Sequence, residues 1–219
     1  LACGLVGLGL AGSLRLSGKL RHRVPTPEYW QPAIGGLLLG LMGLLFIILF
    51  PANETIEQEL GYHQPVFMGN GYPVIESLLN PETYHAQNIG VWLLIAIILF
   101  KVVGTGFTLG SGGSGGVIAP SLFVGAATGA LLAVALQKTG IFPGATPATY
   151  ALAGMAGVIA ATLHCPLTAF LLVFEITQDY KVILPVMLVS ITATVCAQVL
   201  HRAAIYTDLL RKRGIRFGQ

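Results

Sequence analysis

The residues with the most distinctive chemistry lie in one glycine-rich stretch, residues 110–120, which reads GSGGSGG and then VIAP. Glycines permit tight turns and leave the backbone N–H groups accessible. The first N–H groups of an α-helix have no acceptor within the helix, and together with the helix dipole they favour a bound anion. Proline suits a first helical turn, so Pro120 indicates that a helix starts here. The pattern predicts an anion site built from backbone amides.

Other interpretations of this stretch compete with an anion site. GSGGSGG is also the composition of a flexible linker, but linkers join soluble domains and this stretch lies between apolar segments. Gly110, Gly112 and Gly115 match the G-x-G-x-x-G dinucleotide pattern, which requires an acidic residue about 20 positions later. No acidic residue occurs between these glycines and Glu175, which lies about 60 positions later. No Lys directly follows the glycines as in a phosphate loop. A small-residue surface for helix packing stays open, alone or beside an anion site.

The composition of the whole chain indicates what kind of protein contains this stretch. Of 219 residues, only 10% are charged and 54% are hydrophobic, and the mean hydropathy is +0.77. An ordinary soluble domain carries about 25% charged residues, and disordered chains are more polar still. The glycines follow no three-residue period, which excludes collagen. These numbers predict an integral membrane protein in contact with the lipid bilayer. The net charge of +3 is modest, so no nucleic-acid partner is expected.

Apolar segments separated by Gly, Pro and charged residues predict an all-α protein. The expected helices are residues 1–16, 31–50, 73–80, 87–109, 117–136, 148–163, 166–177, 182–200 and 203–213. Several are shorter than the roughly 20 residues that cross a bilayer, so we expect tilted and re-entrant helices among them. Short apolar segments interrupted by Gly or Pro are typical of the binding sites of transporters.

Charged residues between the segments predict the orientation. Arg21 and Arg23 lie in a basic loop. The next loop is acidic and contains Glu54, Glu57 and Glu59, and residues 211–216 form a basic tail. The positive-inside rule places the basic loop and the C-terminus in the cytoplasm and the acidic loop outside. The chain starts inside an apolar run without an initiator Met, which indicates that an N-terminal part is missing.

Four motifs in order resemble those of the CLC chloride channels and proton-coupled chloride antiporters. GGVIAP at residues 115–120 resembles the GGxFAP selectivity motif of that family. Residues 154–168 and 174–185 are similar to the next two conserved blocks, and Ile205-Tyr206 resembles the motif of the final helix. The resemblance covers nearly the whole chain and is strongest over about residues 105–206.

The resemblance implies a fold and partners. CLC proteins are homodimers in which each subunit has its own pore and contains two inverted-topology repeats. This chain looks like the second, C-terminal repeat, and the N-terminal half of the same protein would supply the family's GSGIP and GREGP motifs, including the gating glutamate. The implied function is chloride transport across a plasma (inner) membrane. Passive channel and proton-coupled exchange both stay open, because the residues that usually distinguish them lie outside this chain.

The resemblance also implies the site. The residues that would bind the anion are Gly116, Val117, Ile118 and Tyr206. The supporting motif residues are Gly115, Ala119 and Pro120. The contacts would come from backbone N–H groups and from the Tyr206 hydroxyl, whereas composition alone would make Tyr206 an anchor at the membrane interface. The family usually has Phe where this chain has Ile118, an exchange that leaves the N–H donor in place.

Other side chains indicate little chemistry. No nucleophile–base pair is readable and the histidines lack metal-ligand spacing, so we expect no enzyme, no metal and no cofactor, with chloride as the transported ligand. Cys3, Cys165 and Cys196 are expected to be small buried hydrophobic residues. His164, two residues before Pro166, is expected to be structural or interfacial and not a proton relay. The alternative function is a membrane assembly subunit that conducts nothing and uses the glycines for helix packing.

Overall fold

A computed structural model of the chain describes residues 1–21, 30–50, 65–80, 91–140, 146–178, 180–200 and 205. All regular structure in these residues is helical, which confirms the all-α prediction. The helices are α1 (Ala2–Arg21), α2 (Gln31–Leu49), α3 (Tyr72–Leu79), α4 (Val91–Gly110), α5 (Ile118–Thr139), α6 (Pro147–Leu163), α7 (Pro166–Thr177), a 3₁₀ turn (Tyr180–Val182) and α8 (Ile183–Leu200). The expected helix 203–213 and the loops used to predict orientation lie largely outside the described residues.

Four segments in the described parts of the chain are long and apolar enough to cross a membrane. They are Gln31–Leu49, Val91–Gly110, Ile118–Thr139 and Tyr180–Leu200. Within the 18-residue apolar stretch of each segment, only 17% of the residues of Gln31–Leu49 are buried in the protein, whereas 67% of those of Ile118–Thr139 are buried. Such exposed apolar surface is compatible with lipid and not with water. The chain is therefore an integral membrane protein in which α2 lies at the periphery and α5 in the interior.

Two helices extend beyond the ends that the sequence indicates. α1 continues to Arg21, five residues past the expected end, through Ser17 and Gly18, and the Ser17 hydroxyl donates to the Ser13 carbonyl (2.9 Å). α5 continues to Thr139, where Gly140 adopts the left-handed conformation (φ 71°) and its N–H bonds to the Gln137 carbonyl. Helix ends are set by such capping geometry, which a hydropathy pattern does not contain.

The interior is organised around α6, which packs against α1, α5, α7 and α8. The closest approach is between α5 and α6, where glycines face each other. A Cβ added at Gly125 would lie 2.6 Å from the Gly154 carbonyl oxygen, and one at Gly129 would overlap the Tyr150 carbonyl. The two backbones are therefore in direct contact, as in other small-residue interfaces between membrane helices. This contact fixes the axis of α5.

The junction between α6 and α7 is a sharp break. His164 ends α6 in the left-handed conformation (φ 57°), and Pro166 lies at the start of α7. His164 therefore has a structural role in the backbone. Cys165 between them is exposed, which corrects the expectation of three buried cysteines, because its position at the break turns the side chain outward. Cys3 is buried, Cys196 is half-buried, and all three are free thiols.

Gly129→Ala tests the α5–α6 contact. The added methyl group meets a backbone carbonyl that cannot move without displacing α6, so we expect a destabilisation of about 1–3 kcal/mol. The measurement is the thermal unfolding midpoint of the detergent-purified protein, which should fall by several degrees. Gly40→Ala is the matched control, since no atom lies within 4 Å of an added Cβ there. Equal midpoints for the two variants would contradict a direct backbone contact.

Candidate functional site

The glycine-rich segment forms a turn that leads from α4 into α5. Three backbone hydrogen bonds close this turn: Ser111 N–H to Phe107 O (3.1 Å), Gly112 N–H to Leu109 O (3.2 Å) and Gly113 N–H to Thr108 O (3.0 Å). Gly112 has a φ of 90°, a conformation that side chains disfavour. Glycine is therefore required at this position to redirect the chain out of a membrane span.

α5 starts at Ile118, directly after the glycines, with Val117 as the residue before its first turn. The Val117 carbonyl accepts the first helical bond, from the Ser121 N–H (3.1 Å), and also the Ser121 hydroxyl (2.8 Å). Pro120 lies in the first turn, where its missing N–H breaks no helical bond. The local sequence thus specifies both the start of the helix and its unpaired amides.

The amides that precede and open α5 have no acceptor in the described part of the protein. This holds for every N–H from Ser114 to Ala119, six in sequence. Val117, Ile118 and Ala119 are the donors that a helix start leaves without an acceptor in its own helix, and Ser114 to Gly116 extend this row into the turn. Gly115, Gly116 and Ile118 are exposed, and no atom lies within 4 Å of a Cβ added at Gly116. The donors therefore border open space on one side of this chain.

The Val117 side chain anchors this row of amides to the protein. It is buried in a small apolar cluster with Ala11 and Ile205. Ile205 directly precedes Tyr206, so the structure places the sequence neighbour of that predicted ligand beside Val117. Tyr206 itself lies outside the described residues. A pair of buried hydroxyl groups, 3.4 Å apart between Ser121 and Thr162, also joins the start of α5 to the end of α6.

Some of the predicted site residues line a cavity, and others do not. Gly115, Gly116, Ala119 and Pro120 line a cavity of about 380 Å³, whereas Val117 and Ile118 are not among its described lining residues. The same cavity reaches Lys101, which the sequence analysis did not single out. The available signal was a lysine in the middle of an apolar span, since such residues are rare and usually functional.

Besides Lys101 in the wall of the cavity, the positive charge near residues 110–120 comes from the backbone. Between residues 102 and 174 the only formally charged residue is Lys138, which is exposed at the far end of α5. The helix dipole contributes a partial positive charge at the start of α5. No group of three His, Cys, Asp or Glu side chains within the described ranges could hold a metal ion. The arrangement can offer hydrogen-bond donors and partial positive charge, which is the chemistry of an anion site.

Comparisons with known proteins agree on one family. The family model described as voltage gated chloride channel matches residues 1–198. The chain is 31% identical over 219 residues to an H(+)/Cl(-) exchange transporter ClcA of Klebsiella pneumoniae, covering 89% of this chain and 44% of that protein. It is 32% identical over 207 residues to the voltage-gated ClC-type chloride channel ClcB of Escherichia coli, covering 90% and 43%.

A plant relative extends the comparison. The chloride channel protein CLC-f of Arabidopsis thaliana is 36% identical over 174 residues, which cover 77% of this chain and 20% of that protein. The chain thus spans less than half the length of the curated relatives it matches. Their names describe channels and exchangers, in agreement with the expectation that the protein is not an enzyme. With the family model matching most of its length, this chain belongs to the voltage-gated chloride channel family.

Proposed function

We propose that this chain forms one half of a transmembrane pathway for chloride or a similar small anion. The backbone amides of Gly116, Val117 and Ile118 and the hydroxyl of Tyr206 hold the ion. Gly115, Ala119 and Pro120 shape the backbone that presents those amides. The N-terminal half of the same protein supplies the opposite wall of the pathway, and no cofactor takes part.

The single observation that carries this proposal is the row of backbone N–H groups from Ser114 to Ala119, which meet no acceptor among the residues that the structure describes. A donor that stays unpaired inside a membrane protein costs free energy, so these amides need water, a ligand or another part of the protein as acceptor. The row lies at the start of a buried helix and faces open space at Gly116. An anion is the ligand that such donors satisfy best.

Partial charges suit transport better than a full charge at the ion. A conducted ion must bind well enough to leave water and weakly enough to depart again. Amides at a helix start provide several moderate attractions, whereas an Arg or Lys in direct contact would bind the anion more tightly. The stretch without charges around residues 114–119 is therefore an advantage for flux.

The packing interpretation explains only part of the glycine-rich stretch. Gly110 packs so closely on α1 that an added Cβ would overlap Ser17, and Gly113 would meet the Thr108 carbonyl at 2.6 Å. Gly116, in contrast, has no neighbour that packing would require. Packing on α1 therefore accounts for Gly110 and the turn itself for Gly113, whereas the anion site accounts for Gly116.

We place the protein in the plasma (inner) membrane as a homodimer, with the C-terminus and the Arg21 end of α1 in the cytoplasm. The orientation follows from the distribution of basic residues. The exposed apolar surfaces of α2 and α8 would be covered by lipid and by the second subunit. Protease accessibility of the C-terminal tail in sealed right-side-out vesicles tests the orientation: digestion without permeabilisation would contradict it.

Ile118→Pro deletes one amide donor at the first position of α5. An N–H bonded to a charged group contributes about 1.5–3 kcal/mol, so chloride binding should weaken roughly tenfold or more. The measurement is chloride flux from liposomes that contain the whole protein, together with calorimetric halide binding. Ile118→Ala is the matched control, because it shortens the side chain and keeps the N–H.

A second variant keeps this test decisive if Ile118→Pro does not fold. Replacing the peptide bond before Ile118 by an ester removes the same N–H and preserves the side chain and the backbone shape. A folded ester variant with unchanged chloride flux and selectivity would refute the amide assignment. Wild-type protein that neither binds halides nor carries chloride would instead favour the non-conducting assembly subunit.

Tyr206→Phe removes only the proposed side-chain donor. We expect weaker halide binding by calorimetry, with a several-fold increase in the dissociation constant, because one hydrogen bond to the ion is lost. Tyr180→Phe is the control, since Tyr180 is exposed and its ring packs on Phe174. If both substitutions leave halide affinity unaltered, Tyr206 serves as an interfacial anchor and not as a ligand.

Two modes of transport fit this site, a passive channel and proton-coupled exchange, and the relatives bear names of both kinds. A chloride gradient across liposomes distinguishes them. Exchange moves protons uphill against their gradient when chloride flows down its own. A channel carries chloride without any coupled change of internal pH.

A further inference from the structure

The Ser121 hydroxyl is a buried polar group that the proposed anion site does not use directly. Ser121 is fully buried in the first turn of α5 (Ile118–Thr139). Its hydroxyl donates to the Val117 carbonyl oxygen at 2.8 Å, and its backbone N–H donates to the same oxygen at 3.1 Å. One carbonyl therefore accepts two hydrogen bonds from a single residue.

The Val117 carbonyl and the Ile118 N–H belong to the same peptide group. A donor at the oxygen of an amide polarises the amide and makes its N–H a stronger donor, and linked hydrogen bonds strengthen one another by roughly 10–30% per bond. The Ile118 N–H is one of the donors proposed to hold the anion, and it meets no acceptor among the described residues. The Ser121 hydroxyl is therefore placed to strengthen that donor without touching the ion.

A neighbouring hydroxyl does not take the Ser121 proton away from Val117. Thr162 Oγ1 lies 3.4 Å from Ser121 Oγ, which is longer than the 2.8 Å to the Val117 carbonyl. The Thr162 proton has acceptors of its own in α6, the carbonyl oxygens of Val158 (2.9 Å) and Ile159 (3.0 Å). The Ser121 proton therefore belongs to the bond with Val117, and removal of the Ser121 hydroxyl leaves Thr162 with its acceptors.

Helix packing of a hydroxyl is the competing explanation, because hydroxyls inside helices commonly bond to a carbonyl one turn earlier. Thr105, Thr128 and Thr194 do so in this protein. In each of these cases the N–H of the same peptide group lies inside a helix, which pairs it. Ser121 differs because its acceptor belongs to the peptide group that opens α5, whose N–H has no acceptor within the helix.

We propose that Ser121 is a positioning residue that sets the strength of the Ile118 N–H and thereby the preference of the site for chloride over larger anions such as thiocyanate. This inference rests on the proposed function and deepens it. A large anion keeps its charge farther from the donor, so it gains less from a stronger N–H than chloride does. The Ser121 hydroxyl therefore favours the smaller ion.

Ser121→Ala tests this role in the purified whole protein, with chloride and thiocyanate binding measured by calorimetry. We expect the chloride dissociation constant to rise about two- to fourfold, because one hydrogen bond to a charged group is weakened and not lost. Thiocyanate binding should change less, so the ratio of the two affinities falls. Ser121→Cys keeps a side chain of similar shape with a weaker donor and should lie between wild type and Ser121→Ala.

Thr128→Val is the matched control on the same helix. Thr128 is also buried in α5, and its hydroxyl donates to the Val124 carbonyl at 2.6 Å. Its removal deletes the same kind of bond, but the N–H of that peptide group is paired within α5. We expect the ratio of chloride to thiocyanate affinity to stay at the wild-type value. An equal fall of this ratio in Thr128→Val, or an unchanged ratio in folded Ser121→Ala or Ser121→Cys, would overturn the proposal.

A double-mutant cycle separates this proposal from the proposed function. An ester in place of the peptide bond before Ile118 removes the N–H through which Ser121 is proposed to act, so Ser121→Ala should then change chloride affinity little further. If the ester weakens chloride binding and Ser121→Ala keeps its full effect in both backgrounds, the role of Ser121 is refuted and the anion site stands. If the ester alone leaves chloride binding unchanged, the amide assignment fails and the role of Ser121 fails with it.

Discussion

Backbone amides without a partner are costly inside a membrane protein, and the six at residues 114–119 meet no acceptor within the described part of this chain. Much of the surrounding structure serves to hold that row in place. The hydrogen-bonded turn at Gly112 delivers the chain to it, and the buried side chain of Val117 fixes its middle. Ser121 then bonds back to Val117 and closes the first helical turn. The donors at Val117, Ile118 and Ala119 are unpaired within α5 because they open the helix.

Rigidity in the amides depends on rigidity in α5, which the glycines of the interior provide. Where Gly125 and Gly129 lie against α6, two backbones touch and leave no side chain to repack. Interfaces of this kind are discrete, because a small displacement produces an overlap of backbone atoms and not a gradual change of packing. α6 is too short to span by itself, and its burial on several sides makes it the fixed support for α5. The direction of the amides therefore follows from contacts one to three helical turns away.

The sequence predicts the features that depend on local chemistry and misses those that depend on neighbours in space. Low charge and high hydropathy correctly predict an all-helical membrane protein. The helix start expected at residue 117, from Pro120 after the glycines, lies one residue from the observed start at Ile118. The exposure of Cys165 follows from its position at a helix break, and the end of α5 follows from the cap at Gly140, neither of which an apolar run encodes. Lys101 is visible in the sequence, but only the fold brings it to the same cavity as Gly115 and Gly116.

The full charge of Lys101 and the partial positive charge of the amides lie along α4 and the turn that follows it. α4 carries Lys101 near its middle and ends in the turn that leads to the amides. α4 is in turn held to α1, because a Cβ at Gly110 would overlap Ser17 and the Ser13 hydroxyl donates to the Val102 carbonyl (2.8 Å). The amides are held to α1 as well, because the Val117 side chain packs on Ala11. α1 is therefore the common support that fixes the amides relative to Lys101.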